Sequence, residues 1–128
     1  MTHHFPVRVY YEDTDMGGIV YHANYLRFIE RARSDWVRSL GVDQNAMREM
    51  GLVYVVRRVE ADFLAPAQFD DELEVQTEVA EVSSARLTLI QVVQKGGQDL
   101  FLARVTVVCM SLEGSRPQRL PAEIRALL

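Results

Sequence analysis

Along the first residues, Phe5, Val7, Val9 and Tyr11 alternate with Arg8 and Tyr10. That period of two predicts a strand with one face on a core, here carrying Tyr11 on the core side. Between Glu12 and Val20 the pattern breaks, and Asp13, Asp15, Gly17 and Gly18 supply turn chemistry. A helix follows. Tyr25, Phe28, Ile29, Ala32, Trp36 and Leu40 recur at helical spacing, with Arg27, Glu30, Arg31, Arg33 and Arg38 between them. Gly41 is placed to stop it, and Asp43 can cap a short second helix running through Met47 to Met50.

From Leu52 the pattern is that of strands. Val53 to Phe63 reads as one, ending before the Ala65-Pro66 break. Leu73, Val75, Thr77 and Val79 alternate with Glu74, Gln76 and Glu78, a strand with one wet face. After the Ser83-Ser84 turn, Arg86 to Gln94 forms the next, and Gly96-Gly97 makes a tight hairpin into Leu100 to Leu112. That last strand is apolar on both faces, which predicts a central or covered position. Pro117 and Pro121 mark a loop before a short amphipathic tail. One strand, one long helix and four more strands on short turns predict an α+β chain, with an antiparallel sheet curled around the helix.

The chain of 128 residues fits a single domain, residues 1–128, and its 48% hydrophobic content can fill a core without staples. A net charge of −4 and a pI near 5.3 argue against a nucleic-acid partner that needs broad phosphate neutralisation. The single cysteine, Cys109, excludes an intramolecular disulfide and lies in an apolar run, as an inert buried thiol does. No apolar leader opens the chain and no stretch reaches the roughly 18 apolar residues of a membrane span. A cytoplasmic protein is expected, with peripheral membrane association left open.

Reactive side chains concentrate between the first strand and the helix, from Tyr10 to Tyr25. Glycines free the backbone there, and the helix start at about His22 to Asn24 offers unpaired N–H groups at its positive end. Such a terminus can hold a developing oxyanion, while a carboxylate opposite it activates a water or attacks a carbonyl. His22 could orient a substrate or move a proton. Either aspartate could equally serve the turn amides, and spacing alone does not rank them. A metal site is not expected: the three histidines lack zinc-type spacing, and the cysteine lies in a strand. No P-loop or nucleophile elbow is present, so a nucleotide-phosphate cradle and a serine triad are not expected.

The run Tyr11-Glu12-Asp13-Thr14-Asp15-Met16-Gly17-Gly18-Ile19-Val20-Tyr21-His22-Ala23-Asn24-Tyr25 resembles the signature of the 4-hydroxybenzoyl-CoA thioesterase family of hotdog proteins. The Tyr21-His22 pair makes it most similar to the Tol-Pal-associated acyl-CoA thioesterase subgroup, and the likeness extends through Arg33. The resemblance implies a hotdog fold: a five-stranded antiparallel sheet around one long helix from about Asn24 to Leu40. It implies hydrolysis of short- to medium-chain acyl-CoA to free acid and CoA, without a cofactor, with acyl carrier protein as a second possible thiol carrier. It places the catalytic carboxylate on Asp15, the carbonyl-polarising N–H and a contributing side chain on His22, and a substrate contact on Tyr21. Asp13 becomes the supporting carboxylate. A homodimer or homotetramer is implied, with sites at subunit interfaces. The family's aromatic-Tyr-Pro segment is replaced here by Tyr21-His22-Ala23, which points away from a benzoyl substrate. Two other functions compete: a hotdog acyl-thioester hydratase or dehydratase, and a non-catalytic acyl-carrier or envelope-assembly partner. An enoyl-CoA absorbance assay separates the first, and association without turnover marks the second.

Overall fold

The apolar stripe of the long helix decides the architecture. In the computed structural model, which describes residues 2–127, helix α1 spans Asn24–Ser39. Tyr25, Phe28, Ile29, Ala32, Trp36 and Val37 form its buried side. A sheet wraps that side, built from β1 (His3–Arg8), β2 (Leu52–Phe63), β3 (Glu72–Val82), β4 (Arg86–Lys95) and β5 (Gln98–Ser111). The strand order is β1-β3-β4-β5-β2 with every neighbour antiparallel. The fold is the hotdog of the expected α+β class. A sixth, two-residue strand β6 (Pro117–Gln118) pairs with β5 beyond the start of β4, where only a loop was expected. Short helices α2 (Gln44–Glu49) and α3 (Ala122–Arg125) flank the sheet, and Asp43 caps α2 by accepting the Asn45 and Ala46 N–H groups.

Strand β5 is central, as its two apolar faces predicted, lying between β4 and β2. Its inward residues Phe101, Ala103, Val105, Val107 and Cys109 are fully or nearly fully buried, and the alternate ones are half-buried. Burial of each large side chain such as Phe28 or Phe101 contributes about 1.5–3 kcal/mol. Polar side chains of the sheet, Thr77, Thr88 and Gln91, are buried with them. Gln91 of β4 donates to the Ile29 carbonyl and to Thr77 Oγ1, each at 2.9 Å, and accepts from Arg33 Nη1 at 2.9 Å. All of its hydrogen-bonding sides are thereby used, which its complete burial requires.

One expectation fails at an element end. Tyr11 does not face the core but is 82% exposed. The strand stops at Arg8, and a 3₁₀ turn over Tyr11–Asp13 rotates the chain out of the sheet period. Strand β2 occupies an edge of the sheet, opposite the edge formed by β1. The register turns Tyr54, Val56, Val59, Ala61 and Phe63 to the inner side, opposite the buried residues of β5. Helix α1 lies over β1, β3 and β4 and α2 packs on the Leu52 end of β2, leaving the rest of this strand largely open, with Val56, Val59 and Phe63 exposed by 43%, 40% and 55%.

Candidate active site

The loop between β1 and α1 is anchored by Asp13. Its buried carboxylate accepts the Tyr10 N–H at 2.8 Å, closing the 3₁₀ turn. Its carbonyl accepts the Tyr21 N–H and the Asn24 Nδ2, each at 2.9 Å. Asn24 is itself buried at the first position of α1, so this one residue ties the loop's entry to its exit.

Asp15 is held differently. Its main chain forms a small reverse turn, donating to the Ile19 carbonyl at 2.9 Å and accepting the Gly18 N–H at 3.0 Å. Gly18 has φ +77°, a left-handed conformation that costs a side-chain-bearing residue roughly 1–2 kcal/mol. Asp15 Oδ1 accepts the Gly17 N–H at 2.8 Å, and a Cβ at Gly17 would come within 3.2 Å of that oxygen. The carboxylate is solvent-exposed, and Oδ2 has no hydrogen bond among the described residues. The turn rests on a second loop. Ile19 bridges Gln68, Val20 donates to the Ala67 carbonyl at 2.8 Å, and the Ala67 N–H reaches the buried Tyr25 hydroxyl at 3.2 Å. Burial raises the Tyr25 phenol above its usual pKa, so it stays neutral in this role.

Tyr21, His22 and Ala23 lead into α1. The His22 ring is exposed, 4.6 Å between centroids from Tyr21 and 6.1 Å, edge-on, from Phe63. Phe63 in turn packs against Tyr25 and Phe101 of the core. The main-chain N–H groups of His22 and Ala23 have no acceptor among the described residues. Together the loop presents an exposed carboxylate, a helix N-terminus with two free donors, and an imidazole on an aromatic floor. That set can activate a water and hold negative charge developing on a carbonyl oxygen.

Asp15, Tyr21 and His22 therefore share one loop. His3 and His4 belong elsewhere, paired with Asp35 and Glu74 at 2.8 and 2.6 Å. Cys109 is completely buried in β5, where burial pushes its thiol pKa up and keeps it protonated. Among the described residues no group of three or more His, Cys, Asp or Glu gathers as a metal site would. Phe63 and the Ala65–Asp71 loop escaped the sequence reading, where Ala65-Pro66 marked only a strand end. An apolar residue at the end of a strand carries no signal that it will floor a site made by residues about 40 positions earlier.

A hotdog sheet with this carboxylate-and-helix-end loop defines the class of acyl-thioesterase-like proteins. Residues 9–128 match the thioesterase-like superfamily, and the chain belongs to that family. It is 44% identical over 123 residues to the acyl-CoA thioesterase YbgC of Haemophilus influenzae, covering 95% of this chain and 90% of the relative. It is 42% identical to the acyl-CoA thioester hydrolase YbgC of Escherichia coli O157:H7, covering 95% and 92%. These relatives are the Tol-Pal-associated subgroup that the sequence resembled. Among solved structures, a probable thioesterase from Bartonella henselae superposes with a TM-score of 0.89 at 37% identity, covering 94% of this chain and all of the other.

Proposed function

We propose that the protein hydrolyses short- to medium-chain acyl-CoA thioesters, with Asp15 as the catalytic carboxylate. The observation that carries this is the exposed Asp15 carboxylate on the same loop as the free His22 and Ala23 N–H groups. Asp15 takes a proton from water as the water oxygen bonds to the thioester carbonyl carbon, and the helix-end amides hold the charge that builds on the carbonyl oxygen. Collapse of that intermediate breaks the C–S bond, and the proton leaves with the CoA thiolate, giving acid and free thiol. His22 supplies its N–H and steers the substrate with its ring, and Tyr21 contacts the substrate. Relatives named as acyl-CoA thioesterases support the reaction and the carrier.

The same reading takes the chain as one domain, cytoplasmic and assembled as a homodimer or homotetramer. No helix among the described residues is long and apolar enough to cross a membrane. Free-thiol release from a panel of acyl-CoA and acyl-carrier-protein thioesters tests the proposal. Turnover of saturated acyl-CoA supports it. No thiol release from any of them, with hydration of an enoyl-CoA instead, overturns it in favour of the hydratase class.

A further inference from the structure

The two halves of the Asp15 site are carried by different parts of the fold. The free N–H groups of His22 and Ala23 stand at the start of α1. Asp15 belongs to a turn outside the named strands and helices, and its carboxylate takes one hydrogen bond among the described residues, from the Gly17 N–H. The spacing of carboxylate and donors is therefore set by whatever joins the two carriers. A misplacement of about 1 Å in such a pair can cost roughly 10²-fold in rate.

The join is a short main-chain ladder. Asp15 donates to the Ile19 carbonyl at 2.9 Å and Thr14 bridges Val20. On the other side Val20 donates to the Ala67 carbonyl at 2.8 Å, and Ile19 bridges Gln68. Ala67 is completely buried, and its N–H donates to the Tyr25 hydroxyl at 3.2 Å. Tyr25 lies in the first turn of α1, three residues beyond His22. Its ring is locked, stacked on Phe101 with centroids 5.0 Å apart and edge-on to Phe28 and Phe63 at 5.9 Å each. One hydroxyl thus links the helix start that holds the donors to the ladder that holds the carboxylate.

The far end of the Ala65–Asp71 loop is clamped as well. Asp71 accepts the Gln68 N–H at 2.8 Å on Oδ2 and pairs with Lys95 of β4 at 2.9 Å through Oδ1. The main chain closes the same turn, with the Asp71 N–H donating to the Gln68 carbonyl at 3.1 Å. Just past β1, Val9 donates to the Asp71 carbonyl and accepts the Asp70 N–H, each at 2.9 Å. Asp70 has φ +70°, a left-handed conformation that persists in a residue with a side chain where the surrounding contacts hold it. Gln68 passes this fixed geometry on to Ile19.

We propose that Tyr25 and Asp71 are positioning residues for the reaction, acting through the main chain of Ala67 and Gln68 to set where the Asp15 carboxylate stands relative to the His22 and Ala23 N–H groups. The inference rests on the thioesterase reading above and adds what keeps its two halves in register.

The test uses the full-length protein and thiol release from the acyl-CoA that wild type turns over fastest. Tyr25→Phe keeps the ring packing and removes the hydroxyl. Its kcat is expected to fall about tenfold, the scale of one hydrogen bond, with KM within about twofold of wild type. Asp71→Asn acts in the same direction and more weakly, because it keeps an acceptor for the Gln68 N–H and loses the charge that holds Lys95. Cys109→Ser, altered in the core away from the loop, is the control that keeps the wild-type kcat.

The deciding step places Tyr25→Phe in an Asp15→Asn background. A hydroxyl that works by placing the carboxylate has nothing left to place there, so the residual rate changes by less than about twofold. A purely structural role lowers both backgrounds by the same factor. Amide hydrogen exchange gives an independent reading: the Asp15 and Val20 N–H groups should exchange about tenfold faster in Tyr25→Phe, with the β5 amides unchanged. Wild-type kcat in Tyr25→Phe, equal losses in the two backgrounds, or unchanged exchange at both amides overturns the proposal. Should Tyr25→Phe not fold, Asp71→Asn, which lies outside the core, carries the same cycle. Wild type that releases no thiol from any acyl-CoA sinks the thioesterase reading itself, whereas wild-type turnover with equal losses sinks only the positioning.

Discussion

Asp13 and Asp15 share one loop and are held in opposite ways. Asp13 is buried and spends its carboxylate and carbonyl on Tyr10, Tyr21 and Asn24, whereas Asp15 gives one oxygen to Gly17 and leaves the other in solvent. Asp15→Asn keeps the shape and an acceptor for the Gly17 N–H but removes the charge, so kcat is expected to fall at least about 10²-fold. Its melting temperature should stay near wild type. Asp13→Asn is expected to act through the fold, because it weakens the charge-assisted bond from the Tyr10 N–H and buries an NH2 group for which the loop shows no acceptor: a loss of about 1–2 kcal/mol, seen as a lower melting temperature along with lower activity. His22→Ala should cost less activity than Asp15→Asn, since the main-chain N–H survives. Steady-state thiol release and a melting curve for each variant decide the matter, and wild-type turnover by Asp15→Asn would remove it from the mechanism. Cys109→Ser is expected to leave turnover intact while lowering stability by about 1–3 kcal/mol, for a hydroxyl placed in a fully buried, mainly apolar setting. From sequence the loop was legible as a site and the two aspartates were not ranked by spacing. Which carboxylate turns inward depends on where the Tyr10 N–H points once the 3₁₀ turn has formed, and local spacing does not encode that.

At the scale of elements, patterns with one dominant face read well and ends read poorly. The α1 stripe and the alternation of β3 reappear in the structure because each element covers one face of a single core. Tyr11 was misread because a three-residue turn leaves the preceding strand's period unbroken in the sequence. Strand β2 was legible as a strand but not as an edge: Val55, Val56 and Val59 look alike whether a helix or a second molecule covers them. The joints between elements can also be tested. Asp71, just before β3, accepts the Gln68 N–H at 2.8 Å and pairs with Lys95 of β4 at 2.9 Å. Desolvation pushes its carboxyl upward, but the hydrogen bonds from Lys95 and Gln68 outweigh it, and the folded-state pKa lies below the ordinary value. A depressed carboxylate contributes stability above its unfolded pKa of about 3.9 and loses it as pH falls through the lower folded value. Asp71→Asn should therefore be less stable than wild type at pH 7, with the gap closing below about pH 4. Denaturant titrations at the two pH values measure it, and a gap that does not narrow in acid would show that the ion pair contributes nothing.

For the molecule as a whole, the unfinished surface is the inner side of β2. One 16-residue helix covers β1, β3 and β4, and the sheet extends past it to an open 12-residue edge carrying Val56, Val59, Ala61 and Phe63 inward. An open edge of that length with apolar side chains is an aggregation hazard unless something pairs with it. Pairing with an identical strand satisfies the free N–H and C=O groups in one step and buries both apolar rows, at about 25 cal/mol for each Å² removed from water. The bulge at Arg57 fixes where such a pair can centre, which favours a closed two-fold dimer over an open chain of copies. Light scattering at micromolar concentration is therefore expected to give twice the 14.6 kDa chain mass or a higher even multiple. Val59→Lys puts a charge near the axis, facing the Val56 region of the second copy, and the variant should be monomeric. The monomer should keep its circular dichroism spectrum, because Val59 lies outside the core of the single chain, and should lose turnover of acyl-CoA. A wild-type monomer with full turnover would show that each chain completes its own site. A folded Val59→Lys monomer that remained active would lead to the same conclusion.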